Sequence, residues 1–113
     1  MLVRYYINLQ NPSLARGLDP DFSFSANGAE EFAAQLQAAL SHPDFFNRWR
    51  KTQVDPDRID PLLAKIDPDA RVFGAQQDLS INLVAVTSIP GAVLKQRMDL
   101  LAGSAWALMD VAG

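Results

Sequence analysis

The stretch ARVFGAQQDLSINLVAVTSIP, residues 70–90, decides the fold. Val72 and Phe73 open one strand, and Leu79, Ile81, Leu83 and Ala85 recur at every second position of another. Period two is the signature of a strand that turns one face inward. The residues from Gly74 to Asp78 supply the turn between them. Two strands joined by a short turn are antiparallel neighbours, whereas a parallel pair needs a crossover helix in that place.

Upstream of the hairpin the chain reads as helical. Residues 56–66 carry Ile59, Leu62, Leu63 and Ile66 on one side and begin at a proline, which costs nothing at the first helical position. Residues 43–51 begin the same way. The segment NGAEEFAAQLQAAL, 27–40, is the clearest helix: Asn27 is a cap residue, and Glu30 three positions later completes a capping-box pattern. Phe32, Ala33, Leu36, Ala39 and Leu40 form its apolar stripe, with Glu30, Glu31, Gln35 and Gln37 opposite.

Residues 2–10 alternate, with Val3, Tyr5, Ile7 and Leu9 on one face and Arg4, Tyr6, Asn8 and Gln10 on the other. DFSFSA, 21–26, alternates through Phe22 and Phe24 and predicts a short edge strand. Downstream, Pro90 opens a predicted C-terminal helix running through Leu94, Met98, Leu101, Ala105, Leu108 and Met109. The expected fold class is therefore α+β. An antiparallel sheet of about four strands carries helices packed on one face, in the order β-β-α-α-α-β-β-α, as a single domain over 1–113. Many ferredoxin-like and related α+β proteins share that layout, and no motif here selects among them.

Composition narrows the function classes. The chain has 113 residues, 49% of them hydrophobic and 20% charged, the balance of a globular protein. With no cysteine, disulfide scaffolds, thiol nucleophiles and cysteine-ligated metal sites are excluded. A net charge of −3 argues against nucleic acid as a partner, because that binding rests on neutralised phosphates. The N-terminus lacks the long apolar run of a signal peptide. The longest apolar stretch, LLAGSAWALM at 100–109, is too short to span a bilayer and is closed by Asp99 and Asp110. A cytoplasmic setting with no membrane partner is expected.

Three features of the sequence are candidate sites. HPDFFNRWRK, 42–51, holds the only histidine and three aromatics. On a helix Phe45, Phe46 and Trp49 cluster at spacings of three and four. A core-anchoring helix is the preferred reading over a stacking platform for nucleic acid, since three cations in an acidic protein make a weak funnel. His42, the only histidine and so the first candidate for proton transfer, has no evident nucleophile to serve. Asp-Pro-Asp occurs at 19–21, 55–57 and 67–69, with Asp60-Pro61 besides. These residues read as turn and cap devices, because the glycine and distal glutamate of a calcium loop are missing. The third feature is the C-terminal helix, apolar nearly all round in its last half, with Trp106 on the charged side. A helix of that kind is buried or paired.

No catalytic residue, metal or cofactor is assigned. The expectation is a non-catalytic interaction protein, a small adaptor, inhibitor or assembly component. It would bind a protein partner or form a homo-oligomer through Trp106, Met109, Leu108 and Leu101. The alternative is a small dimeric α+β enzyme or ligand-binding protein with a pocket of His42, Trp49 and Tyr5, in which His42 or an aspartate moves the proton. If the Asp-Pro-Asp repeats are turn devices, millimolar calcium or magnesium leaves the thermal midpoint unchanged in a melting scan. A clear rise would show a cation bound to the folded state.

Overall fold

A computed structural model describes residues 2–113. It contains a four-stranded antiparallel sheet and three α-helices: β1 (Val3–Leu9), α1 (Ala29–Ser41), α2 (Asp44–Lys51), β2 (Arg71–Gln77), β3 (Ser80–Thr87), α3 (Gly91–Ala102) and β4 (Ala107–Ala112). The sheet order is β2-β3-β1-β4. β3 lies between β1 and β2 and is antiparallel to both, and β1 separates β3 from β4 in the same way. Each βαβ unit is thus split by an inserted strand, the ferredoxin-like arrangement.

The alternation in β1 and β3 sorts the side chains as expected. Tyr5, Ile7, Leu9, Ile81, Leu83, Ala85 and Thr87 are buried on the inner face. Phe32, Leu36 and Leu40 of α1 and Val93, Leu94 and Met98 of α3 close over them. Gly74 lies inside β2, not in the turn, because α1 crosses there. A Cβ at Gly74 would sit 2.3 Å from the Ala29 carbonyl oxygen. The turn falls instead at Asp78 and Leu79, where Asp78 takes the left-handed conformation that aspartate tolerates better than most residues (φ 54°).

The strand and helix boundaries differ from the sequence reading in four places. Residues 21–26 are not a strand. Phe22, Phe24 and Ala26 are buried alternately, but Phe24 N–H donates to the Leu101 carbonyl at the end of α3 and Ser25 N–H to Gln35 Oε1 in the middle of α1, so the segment is tied to helices and never joins the sheet. Period two reports alternate burial, not pairing. The fourth strand is residues 107–112, where the sequence pattern predicts the end of the C-terminal helix. α3 stops at Gly103, whose φ of +63° and ψ of −127° suit glycine alone. Residues 56–66 form two short 3-10 turns, Pro56–Arg58 and Pro61–Ala64. Pro61 lacks an N–H and disfavours helical geometry at Asp60, which prevents one continuous helix. Finally, Gly28 and not Asn27 caps α1, with no side-chain cap bond.

The Asp-Pro segments behave as local turn devices. Asp19, Asp60 and Asp67 each accept the backbone N–H two residues on, at 3.0 Å, and Asp55 pairs with Arg58 at 3.2 Å.

Two buried ionic groups hold the irregular connection 52–70. Arg97 of α3 is fully buried. Its Nε–H donates to the Ala39 carbonyl at 3.3 Å, and Nη2 donates to those of Leu63 at 2.8 Å and Lys65 at 3.4 Å. Nη1 meets Gln96 Oε1, and the guanidinium lies 4.8 Å from the Phe46 ring centroid. Burial pushes its pKa down to about 10, so it stays charged at neutral pH. Asp67 anchors the other end: its carboxylate accepts from the Thr87 hydroxyl at 2.8 Å and the Ser88 N–H at 3.0 Å. Burial alone would raise its pKa, but the bonds from Ser88, Thr87 and Asp69 outweigh burial and hold it below the ordinary value.

Arg97→Met leaves three backbone carbonyls without their donor and is expected to cost about 2–4 kcal/mol in urea unfolding. A variant as stable as the wild type would show that the cation contributes nothing. Asp67 makes a pH-dependent contribution of opposite origin. Its folded pKa lies below the unfolded value of about 3.9, so its stabilisation is complete above that value and drains as pH falls through it. The stability gap between wild type and Asp67→Asn should be constant from neutrality to about pH 5 and narrow below about pH 4. A gap independent of pH would contradict the assignment.

Candidate functional site

The residues named for a pocket do not converge. Tyr5 points into the core, where its hydroxyl donates to the Ile89 carbonyl at 2.6 Å, and burial raises its pKa. Trp49 rests on Phe46, 5.5 Å between ring centroids, and does not line the cleft that includes His42. His42 itself is exposed at the end of α1, its backbone N–H bonded to the Ala38 carbonyl.

His42 does line a shallow cleft of about 300 Å³ together with Asp21, Asp44 and Arg48. The floor is Phe22 against Phe45, edge to face at 5.7 Å, with the Arg48 guanidinium 5.6 Å from the Phe22 ring centroid. A proton-transfer group, two carboxylates and a cation therefore share one depression. Among the described residues no hydrogen bond joins these four side chains, so nothing fixes the imidazole for a proton transfer, which needs hydrogen-bond reach.

The proposed interface residues divide. Leu101 is 3% exposed and belongs to the core, so it is not available to a partner. Trp106 is half-buried, packs against the core, and donates its indole N–H to Asp99 Oδ1 at 3.1 Å. It does not stand on a helix. Leu108 and Met109 are exposed, at 44% and 67%, on the edge strand β4. A register shift against β1 between Tyr6 and Ile7 places a bulge at Met109. Bulges discourage edge-to-edge pairing.

The surface that the sequence reading missed is the outer face of the sheet. The registers place three rungs across it: Arg71–Val86–Arg4–Ala112, Phe73–Val84–Tyr6–Asp110 and Ala75–Asn82–Asn8–Ala107. No helix covers them, and Phe73 is 59% exposed. The signal was present in Leu83-Val84-Ala85-Val86. A strand apolar on both faces is the pattern of one covered on both faces, yet here one side of β3 has no cover within the chain. On the third rung Asn8 Nδ2 donates to Asn82 Oδ1 at 2.8 Å, and Asn82 Nδ2 donates to Gln77 Oε1 at 2.5 Å. That chain leaves Asn8 Oδ1 as an acceptor facing outward.

No family model, curated protein or solved structure matches the chain. No helix among the described residues is long and apolar enough to cross a membrane.

Proposed function

We propose that this chain is a small cytoplasmic interaction protein that acts through surface contacts, and that its first partner is a second copy of itself bound at the outer sheet face. The observation that carries this reading is the uncovered Phe73–Val84–Tyr6 band on a sheet whose central strand is apolar on both sides.

Two further arguments favour a second copy. The first is size. Four strands about 4.8 Å apart, rising about 3.4 Å per residue, make a face of roughly 450 Å² in projection before side-chain relief is added. A standard dimer uses about 800 Å² of accessible surface per partner, so this face can serve as the whole contact. The second is complementarity. A two-fold axis lying between the sheets and perpendicular to the strands lays the band of one copy on the band of the other. It also lays the rung bearing Arg4 and Arg71 over the rung bearing Asn8 and Asn82. Arg4 then lies over Asn8 of the second copy, guanidinium against amide oxygen, while Arg71 lies over Ala75 and Asp110, at the β4 end of the band, lies over Asp110 of the second copy. Self-complementarity of this kind is what a two-fold interface requires.

The His42 cleft favours a second reading, a ligand-binding protein or enzyme in which His42 or Asp44 carries the proton. Its openness to solvent and unlinked polar groups place it behind the first.

In sedimentation across a concentration series the wild type is expected to dimerise. Phe73→Asp, at an exposed position, should raise the dissociation constant about 30-fold or more, a loss of about 2 kcal/mol, with the circular dichroism spectrum and melting temperature kept. Met109→Asp should leave the dimer intact. A wild type that stays monomeric throughout would sink the reading. So would dissociation by Met109→Asp but not by Phe73→Asp, which would move the contact to the β4 edge.

A further inference from the structure

A concavity of about 780 Å³ lies away from the His42 cleft, at one end of the sheet, and borders the outer face at Asn8 and Ala107. The 3-10 turn Pro12–Leu14 after β1, the β2–β3 turn at Leu79 and the segment 104–107 between α3 and β4 converge there. Its volume lies inside the range of small-molecule sites.

The chemistry of its lining is unusual for this protein. None of the lining residues is charged, although charged residues make up 20% of the chain. An ionic ligand leaving water is best held by a counter-charge, and no side chain of this cleft supplies one, which favours a neutral ligand. Neutral hydrogen-bonding side chains are plentiful instead: Gln10, Asn11, Ser13 and Ser104, contributed by two separate stretches of chain. Among the described residues the side chains of Gln10 and Ser104 make no hydrogen bond. Asn11 uses only Oδ1, which accepts from the Ser13 hydroxyl at 2.7 Å. A side-chain amide offers a donor and an acceptor on one plane, the pattern that a pair of adjacent hydroxyl groups matches.

Trp106 supplies the apolar element. Its packing on the core and the bond from its indole N–H to Asp99 hold the ring in place before any ligand arrives, which lowers the ordering cost of binding. Leu14, exposed at the rim, adds apolar contact.

We infer that this cleft binds a neutral polyhydroxylated ligand, a mono- or disaccharide, with its C–H face against Trp106 and its hydroxyls bonded to Gln10, Asn11 and Ser104. The site shares no residue with the His42 cleft, and it meets the dimer face only at Asn8 and Ala107.

The test uses the intact chain carrying Trp49→Phe, so that Trp106 is the only tryptophan. Glucose, galactose, mannose, N-acetylglucosamine, maltose, cellobiose and lactose are titrated while Trp106 fluorescence and the side-chain amide resonances of Gln10 and Asn11 are followed. At least one sugar is expected to saturate both signals with one dissociation constant. Gln10→Ala and Asn11→Ala, both at exposed positions, should each weaken it about tenfold or more, because a hydroxyl bound at that point loses its partner, with the melting temperature unchanged. Glucose 6-phosphate and glucuronate should bind no more tightly than glucose. Three outcomes overturn the inference: no sugar saturating either signal, a charged analogue binding more tightly than its neutral parent, or Gln10→Ala and Asn11→Ala both leaving the affinity unchanged.

Discussion

A guanidinium with no carboxylate beside it holds the helical layer of this protein together. Arg97 is fully buried, and removing such a cation from water carries a penalty of several kcal/mol. Its compensation comes from backbone carbonyls on two different segments. The Ala39 carbonyl belongs to the last turn of α1, where the helix dipole favours positive charge. The Leu63 and Lys65 carbonyls belong to the connection that follows α2. The Phe46 ring beneath the guanidinium brings in α2 as well. One side chain on α3 therefore fixes α1, α2 and the connection relative to one another. Asp67 then ties the end of that connection to Thr87 and Ser88 at the end of β3. Residues 52–70 contain no helix longer than a 3-10 turn, so their position rests on these two polar anchors more than on apolar packing.

The same layer determines which surfaces are left for function. α1 lies over β2 and β3 and packs beside α3, and the inner face of the sheet is closed by them. Nothing comparable closes the outer face, where Tyr6, Phe73, Val84 and Val86 meet. The end of α3 at Gly103 turns the chain back into β4 and brings Trp106 to the end of the sheet beside Gln10 and Asn11. A Cβ at Gly103 would stand 2.7 Å from the Arg16 carbonyl oxygen, so the turn is closely packed as well as conformationally restricted. The proposed dimer face and the proposed saccharide cleft are consequences of one architecture and border each other at Asn8 and Ala107.

Much of this fold was legible in the sequence. The alternation in 2–10 and 80–87 runs long enough to pair as strands, and the stripe of α1 follows a helical period along its whole length. The misread segments each have a physical cause. In 21–26 the apolar alternation reports burial without pairing, and in 56–66 the apolar spacing is helical but no side chain is fully buried and the segment breaks into two 3-10 turns. In 103–111 the apolar residues fit a helical wheel and a strand equally well. The Gly103-Ser104 pair, a helix-stop signal, separates the two readings. Arg97 could not be recognised at all, because an arginine on an amphipathic helix ordinarily faces solvent and only the tertiary fold brings carbonyls to it. The candidate sites were less legible for a similar reason. Gln10, Asn11 and Ser104 are ordinary surface residues until the topology brings them around one cleft.

The most direct measurement of the account is hydrogen exchange at the Arg97 Nε–H, followed by nitrogen-resolved NMR on the wild-type protein near neutral pH. Buried and bonded to the Ala39 carbonyl, that proton should exchange only through opening of the helical layer. Its protection should approach that of the α1 backbone amides around Leu36, while the exposed Arg58 exchanges freely. An Arg97 signal lost to solvent as quickly as that of Arg58, in a protein whose α1 amides remain protected, would contradict the claim that the buried guanidinium holds the layer.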